Sequence, residues 1–230
     1  MTAQHKRPLV ALVTAVEAAI APAEQALGAV LPDAQLWNIV DDRLLEEAGE
    51  QGGVTPKLEA RMERLIRHAV LEGADAILVT CSMYGSVANQ LSATIGIPLF
   101  APDDALFAEA VSGKYRSVLL IAPAAGPLAD GETRLAAAAH SAGVELTISG
   151  AVADGAASAA RSGDIPALAR AQESAYRSSG ATVDAIVLGQ YSISPAATAL
   201  AEITGLPVLA GPALAAGALR DALQELEAKS

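Results

Sequence analysis

The sequence is poor in residues that cross-link, stack or attract nucleic acids. It has one cysteine, so no intramolecular disulfide can form and no oxidising compartment is indicated. Aromatic residues make up 3% of the chain, which predicts an aliphatic core. The net charge is -11, which disfavours nucleic acid and anionic membranes as partners. The 52% share of hydrophobic residues is instead typical of a folded globular protein.

The start of the sequence superficially resembles a signal peptide. In HKRPLVALVTAVEAAIAPAEQA, a basic cluster precedes an apolar run and small residues. Glu17 interrupts that run early, however, and the segment fits a first strand followed by a helix. We therefore expect neither a signal peptide nor a membrane anchor, and a cytoplasmic location.

Two segments resemble each other at a constant spacing of 109 residues. DAILVTCSMYGSVANQLSATIGIPLFA, residues 75–101, aligns without a gap with DAIVLGQYSISPAATALAEITGLPVLA, residues 184–210. Eight pairs are identical, among them Asp75/Asp184 and Pro98/Pro207. At the same spacing LVALV aligns with VLLIA, and QLWNIV aligns with VELTIS. A duplicated half is the simplest interpretation.

Within each half, short apolar runs alternate with helix-like stretches. Strands are predicted near residues 9–13, 35–40, 76–81, 97–100, 118–122, 144–149, 184–189 and 206–210. TPKLEARMERLIRHAVLEG has helical apolar spacing, with Thr55 as its N-cap and Pro56 at the first helical position. DIPALARAQESAYRSSG repeats this design, with Asp164 or Ile165 near its start. The pattern predicts an α/β protein whose parallel sheets are flanked by helices.

The duplication predicts two similar domains related by pseudo-twofold symmetry. The first would cover residues 1–112, with 211–230 packing back on it, and the second residues 113–210, after a linker near 112–117. Parallel sheets bind ligands beyond the carboxyl ends of their strands. Cys81 and Gln190 end equivalent strands, so we expect them to face each other across a cleft between the domains.

These residues resemble the aspartate/glutamate racemase superfamily, which includes hydantoin racemases, maleate cis-trans isomerases and arylmalonate decarboxylases. The resemblance rests on VTCS ending a strand in the first half, LGQYS ending its counterpart, and the duplicated plan. It implies no cofactor, a small carboxylate substrate and a cysteine at both strand ends. One thiolate removes the proton next to the carboxylate, and the other thiol protonates the opposite face. Here the first cysteine is Cys81, and Gln190 stands at the second position.

The glutamine changes the chemistry that the resemblance implies. A carboxamide has no usable proton-transfer pKa, so Gln190 can orient a substrate but cannot protonate it. Arylmalonate decarboxylases resemble this case in mirror image, because they keep only the second-half cysteine. Cys81 is therefore expected to act as the single thiol acid/base of an isomerase or racemase-like enzyme, with Tyr191 or Tyr84 as a second acid. The alternatives are a one-thiol decarboxylase of a malonate-type substrate and a carboxylate-binding protein without turnover.

Either chemistry needs hydrogen-bond donors for a developing enediolate. Candidates are hydroxyls and backbone amides near the two strand ends: Thr14, Thr80, Ser82, Gln190, Tyr191 and Ser192. A helix beginning near Gly85 or Ser86 would present its positive end to a thiolate and a carboxylate. No arginine cluster is evident near these turns.

Other polar residues carry weaker signals. No metal-ligand spacing is present, and His5, His68 and His140 have no supporting context. Asp41 and Asp42 follow a strand and could reach the cleft, but they are interpreted as a solvated turn. The alanine-rich stretches 136–142 and 213–223 could pack closely against a second copy, so a homo-oligomer is possible and the sequence leaves the oligomeric state open.

Overall fold

The protein was analysed as a computed structural model that describes residues 7–229, so His5 lies outside the described residues. Contacts divide the chain into two units. The first runs to Ala101 and resumes at Ala215, and the second is Pro102–Leu214. The first division thus falls earlier than the predicted boundary at residue 112. The intervening helix, Asp104–Ala110, packs against elements of the second unit, and residues 112–116 form a loop within that unit.

The first unit is built on a four-stranded parallel sheet. Its strands are β1 (Leu9–Thr14), β2 (Gln35–Val40), β3 (Ala76–Val79) and β4 (Leu99–Phe100), in the order β2-β1-β3-β4. Its helices are α1 (Ile20–Val30), α2 (Arg43–Glu50), α3 (Pro56–Leu71) and α4 (Gly85–Ser92). Short 3-10 helices cover Glu17–Ala19 and Ser82–Tyr84.

The second unit repeats this sheet. Its strands are β5 (Ser117–Ala122), β6 (Thr147–Val152), β7 (Ala185–Leu188) and β8 (Val208–Ala210), in the order β6-β5-β7-β8. Its helices are α5 (Asp104–Ala110), α6 (Ala125–Ala142), α7 (Ala156–Ser162), α8 (Ile165–Ser179) and α9 (Ala197–Thr204). A 3-10 helix covers Tyr191–Ala196, and α10 (Gly211–Lys229) begins in this unit and continues into the first. The predicted α/β class and duplicated parallel sheets are confirmed.

The longer helices form where the sequence predicts them. Helix α3 begins at Pro56, whose fixed φ suits the first helical position, after Thr55 in an extended conformation. One face of α3 buries four apolar side chains at helical spacing: Leu58, Met62, Ile66 and Ala69. In α8 the Asp164 carboxylate caps the first turn by accepting a 2.9 Å hydrogen bond from Ala167 N. Among the described residues, no helix has the length and apolarity that crossing a membrane requires.

The identical aspartates of the repeat have the same structural role. Leu9 N, at the start of β1, donates a 2.8 Å hydrogen bond to Asp75 Oδ2. Ser117 N, at the start of β5, donates a 2.9 Å hydrogen bond to Asp184 Oδ2. Each aspartate therefore satisfies the first amide of the central strand in its own unit, which explains why this residue type recurs at a constant spacing.

The spacing of the repeat is not constant across the whole unit. Strands β3 and β7 keep the 109-residue offset, but β6 begins at Thr147, three residues after the predicted start. The cause is α6, which has 18 residues where α1 has 11. Helix α6 then ends at Gly143 in a left-handed conformation, with φ of 67°. The longer helix displaces the edge strand along the sequence. Strands β3 and β7 keep the 109-residue offset, whereas β1 and β5 are 108 residues apart, one fewer than predicted.

Candidate functional site

Two buried hydroxyls occupy the carboxyl ends of β1 and β3. Thr80 Oγ1 donates a 2.7 Å hydrogen bond to Thr14 Oγ1, and both residues are at most 3% exposed. Thr14 Oγ1 in turn donates to Val16 O at 3.2 Å and accepts from Val16 N at 3.3 Å. The predicted residues Thr14 and Thr80 are thus brought together, but Thr14 commits its hydroxyl proton to the turn after β1.

Cys81 is the next residue beyond this hydroxyl pair. It is 7% exposed and precedes the 3-10 helix Ser82–Tyr84, whose Tyr84 N donates a 3.0 Å hydrogen bond to Cys81 O. Helix α4 then begins at Gly85, where the sequence predicts a helix start. Ser82 is 7% exposed beside Cys81. Thr80 and Cys81 are thus the only two residues between β3 and the 3-10 helix that leads into α4.

One predicted donor is not available. The backbone N–H of Thr80 donates a 3.0 Å hydrogen bond to Val13 O, because pairing between β3 and β1 continues one residue past the strand. The expectation that this amide is directed at a substrate is therefore wrong. The equivalent bond in the second unit joins Gly189 N to Ile121 O at 2.9 Å. These matching bonds also show that Cys81 and Gln190 hold equivalent positions, since each follows the bonded residue.

Tyr84 is a core residue and does not fit the role of a second acid. Its side chain is fully buried, and its hydroxyl donates a 2.8 Å hydrogen bond to Leu44 O of α2. Burial, followed by the negative charge of a Cys81 thiolate, raises the pKa of Tyr84 to about 12. A phenol with a higher pKa is a weaker proton donor at neutral pH.

The second unit presents amide and hydroxyl groups after β7. Gln190 and Ser192 are half-buried, and among the described residues no hydrogen bond to the Gln190 carboxamide is found. Tyr191 is 2% exposed, and its hydroxyl has no hydrogen-bond partner in the described part of the chain. Burial, then the charges of Asp103 and Asp104, raises the pKa of Tyr191 well above its usual value. Tyr191 is therefore also a poor acid.

A buried amide that the sequence analysis missed supports the turn after β7. Gln172 on α8 is fully buried, and its Nε2 donates a 2.6 Å hydrogen bond to Ile193 O in the 3-10 helix. It lies on the inward face of a helix whose pattern is otherwise apolar. A glutamine at a core position is the only signal that could have identified it.

The prediction of a solvated turn holds for Asp42, which is exposed, but is wrong for Asp41, whose side chain is 14% exposed. Arg61 of α3 contacts the Asp41 carboxylate at 2.5 Å and the Glu47 carboxylate at 2.8 Å. Asp41 lies between β2 and α2, Glu47 lies in α2 and Arg61 lies in α3. Because Asp41 and Arg61 are 20 positions apart, no local sequence motif reveals the cluster. A second ion pair, between Arg134 Nη1 and the buried carboxylate of Asp103 at 2.6 Å, lies in the other unit.

The remaining histidines have ordinary surroundings. The ring of His68 lies 5.5 Å from that of Trp37 in an edge-to-face arrangement, and His140 is exposed on α6. Among residues 7–229, no group of three or more histidine, cysteine or acidic side chains is placed to bind a metal ion.

Known proteins resemble this protein in structure but not detectably in sequence. No family model matches the sequence, and no curated protein is significantly similar to it. A glutamate racemase from Bacillus anthracis shares the fold with a TM-score of 0.72 at 14% identity, over 96% of this chain and 84% of that chain. An aspartate racemase from Picrophilus torridus has a TM-score of 0.72 at 12% identity, over 94% of both chains.

An arylmalonate decarboxylase is similar over 94% of this chain and 92% of its own, with a TM-score of 0.57 and 16% identity. These likenesses show the fold alone, and it is the fold that the resemblance to the aspartate/glutamate racemase superfamily implies. The protein has the two-sheet α/β fold that these racemases and the decarboxylase share. One fold hosts several reactions, so the fold alone does not define the activity.

Proposed function

We propose that the protein is a cofactor-independent enzyme of the racemase and isomerase type that acts on a small carboxylate. Cys81 is its single thiol acid/base, and it transfers a proton at the carbon next to the carboxylate. Gln190 stands where a second cysteine would act and is assigned to substrate orientation. Ser82, Tyr191 and Ser192 belong to the proposed binding surface, and the Thr14–Thr80 pair supports it.

The observation that carries the proposal is the position of Cys81. Cys81 lies two residues after the end of β3, follows Thr80 of the buried hydroxyl pair in sequence, and precedes the start of α4 by one 3-10 turn. The carboxyl edge of a parallel sheet is where α/β proteins bind ligands. A helix start stabilises a nearby negative charge, which favours both a thiolate and a bound carboxylate.

A single thiol restricts the reaction to one face of the substrate. Stereoinversion by two bases needs a titratable group on each face, and a glutamine amide does not titrate. The hydroxyl of Tyr84 is bonded to Leu44 O, and the pKa of each candidate tyrosine is raised. The proposed one-thiol chemistry is therefore proton exchange with retained configuration, or an isomerisation in which Cys81 removes a proton from one carbon and returns it to another carbon on the same face.

A decarboxylase is the second candidate, and the absence of a second thiol favours it. In a malonate-type substrate, loss of carbon dioxide forms the carbanion without a base, so one proton donor completes the reaction. The fold shared with an arylmalonate decarboxylase supports the decarboxylase as a candidate. The two candidates need the same thiol and differ in whether carbon dioxide is released.

The test is proton NMR in heavy water, with the protein and a panel of amino acids, 2-hydroxy acids, maleate and substituted malonates. Cys81→Ala is run beside the wild type. We expect deuterium next to a carboxylate, or loss of carbon dioxide, only where Cys81 is present. Equal signals in both proteins would remove Cys81 from the mechanism. Saturable binding of a carboxylate without turnover would instead make the protein a carboxylate-binding protein.

A further inference from the structure

Arg61 joins two carboxylates near the carboxyl edge of the first sheet. Its Nε contacts Asp41 Oδ2 at 2.5 Å, its Nη2 donates to Asp41 Oδ1 at 2.7 Å, and its Nη1 donates to Glu47 Oε1 at 2.8 Å. The Arg61 side chain is 26% exposed, and those of Asp41 and Glu47 are 14% and 16% exposed. A two-pronged contact of this kind, partly shielded from water, is stronger than an isolated surface ion pair.

Both carboxylates are connected to the Cys81 turn. Asp41 N donates a 3.0 Å hydrogen bond to Thr14 O, and Thr14 is bonded to Thr80, the neighbour of Cys81. Since β2 and β3 flank β1, the ends of these strands lie about 10 Å apart, or two strand spacings. Glu47 belongs to α2, and α2 is bonded through Leu44 O to Tyr84, three residues after Cys81.

The charges of this cluster act on the same region as the thiol. The pKa of Tyr84, whose shift burial dominates, is also affected by Cys81, Arg61, Asp41 and Glu47, in that order. Without Arg61, two carboxylates would face the end of the sheet, and the nearby cations acting on Glu47 would be Arg43 and the exposed Lys57. Arg43 pairs with Glu47 at 2.8 Å, but its side chain is 69% exposed and its charge is screened by water.

We propose that Arg61 is a positioning residue that neutralises Asp41 and Glu47 and holds α2 in place, so that an anion can approach Cys81. The inference rests on the proposed function only in taking the natural anion to be a carboxylate. The sequence offers no arginine next to Cys81 to attract that carboxylate. Cancelling the repulsion from two nearby acids therefore has the same electrostatic effect as adding a positive charge.

The test uses the fact that Cys81 is the only thiol in the chain. The native protein is alkylated with iodoacetamide, which is neutral, and with iodoacetate, which is anionic. In both reactions the thiolate attacks the reagent and displaces iodide, so the ionised fraction of Cys81 cancels in the ratio of the two rates. That ratio measures how readily a carboxylate reaches the thiol, and it needs no substrate.

We expect Arg61→Gln to lower the iodoacetate-to-iodoacetamide ratio by about three- to fivefold at low salt, as one uncompensated charge about 10 Å away predicts. Arg61→Lys should retain most of the ratio. Arg67→Gln is the matched control, because it removes the same charge from the same helix where Arg67 pairs with Glu63 in an exposed position. The control should leave the ratio unchanged.

Adding Asp41→Asn and Glu47→Gln to Arg61→Gln distinguishes an electrostatic role of Arg61 from a purely structural one. This triple variant removes the charges together, so the ratio should return to the wild-type value. An unchanged ratio in Arg61→Gln, or no recovery in the triple variant, would overturn the proposal and leave the role of Cys81 untouched. If neither reagent alkylates native Cys81, although both do so after unfolding, no anion reaches the thiol and the proposed function fails as well.

Discussion

Thr80 Oγ1 donates a 2.7 Å hydrogen bond to Thr14 Oγ1, and this buried contact joins the ends of the two central strands directly before Cys81. A buried hydrogen bond of this kind contributes about 1 kcal/mol to the free energy of unfolding. It also fixes the backbone from which the thiol is presented. The contact therefore has a structural consequence that can be measured without knowing the substrate.

We predict that Thr80→Val lowers the free energy of unfolding by about 1 kcal/mol. Thr14→Val should cost more, about 2 kcal/mol, because it also leaves both polar groups of Val16 without their partner. The double variant should cost less than the sum, by a coupling of about 1 kcal/mol. Urea unfolding of the four proteins measures the cycle, and strict additivity would show that the hydroxyl pair does not contribute.

The backbone at Gly211 packs so closely against the Tyr191 ring that a larger residue does not fit there. A Cβ at this position would lie 2.6 Å from Tyr191 Cε1 and 3.1 Å from Pro102 O. Gly211→Ala should therefore destabilise the protein by about 1–3 kcal/mol through overpacking. Gly217→Ala is the control in the same helix, because nothing lies within 4 Å of its Cβ position, and it should stabilise by up to about 1 kcal/mol. Equal effects in urea unfolding would contradict the packing account.

Asp184 should make the stability of the fold depend on acid pH. Hydrogen bonds from Arg116 N and Ser117 N to its carboxylate lower the pKa of Asp184 from its usual 3.8. A lowered pKa in the folded state stabilises the protein above pH 3.8, and this contribution is lost as the pH falls through the folded-state value.

Asp184→Asn should accordingly lower the urea midpoint at pH 7, and the difference from wild type should shrink towards pH 3 as Asp184 itself becomes protonated. Asp154→Asn serves as a control, since Asp154 is an exposed carboxylate of the same unit. A difference that stays constant between pH 7 and pH 3 would show that the carboxylate charge is not involved.

Restoring a second thiol should restore inversion. We predict that Gln190→Cys, acting on a substrate found by deuterium exchange, converts exchange with retained configuration into racemisation. The physical reason is that the new thiol supplies the titratable group that an amide lacks. Chiral chromatography of the recovered substrate measures this, with Gln190→Ser as the control that removes the amide without adding a comparable acid. Racemisation by the wild type would contradict the assignment of Gln190.

Much of the fold could be predicted because the central strands repeat. Asp75 and Asp184 each accept a hydrogen bond from the first amide of a central strand. Both units need this residue at the same position, so the repeat is visible in the sequence. The edge strand β6 was placed three residues too early, since its position depends on the length of α6. Helix length is set by packing and capping, which a fixed sequence offset does not record.

The site could be predicted in outline, but its polar contacts could not. The sequence identifies Cys81 because it is the one cysteine and follows a predicted strand. Arg61 cannot be identified in this way, because it is one of several charged residues in α3. Only the fold brings Arg61 to Asp41 and Glu47. The use of the Thr80 amide in strand pairing, and the bond from Tyr84 to Leu44 O, are likewise tertiary contacts with no sequence signal.

The central claim is that Cys81 alone transfers the proton, on one face of a small carboxylate. Its most direct test is the deuterium content and configuration of the carbon next to the carboxylate after incubation in heavy water with wild type and with Cys81→Ala. We predict one deuterium, a single configuration and complete loss of labelling in Cys81→Ala. Labelling that persists without the thiol, or that accompanies inversion in the wild type, would contradict the account.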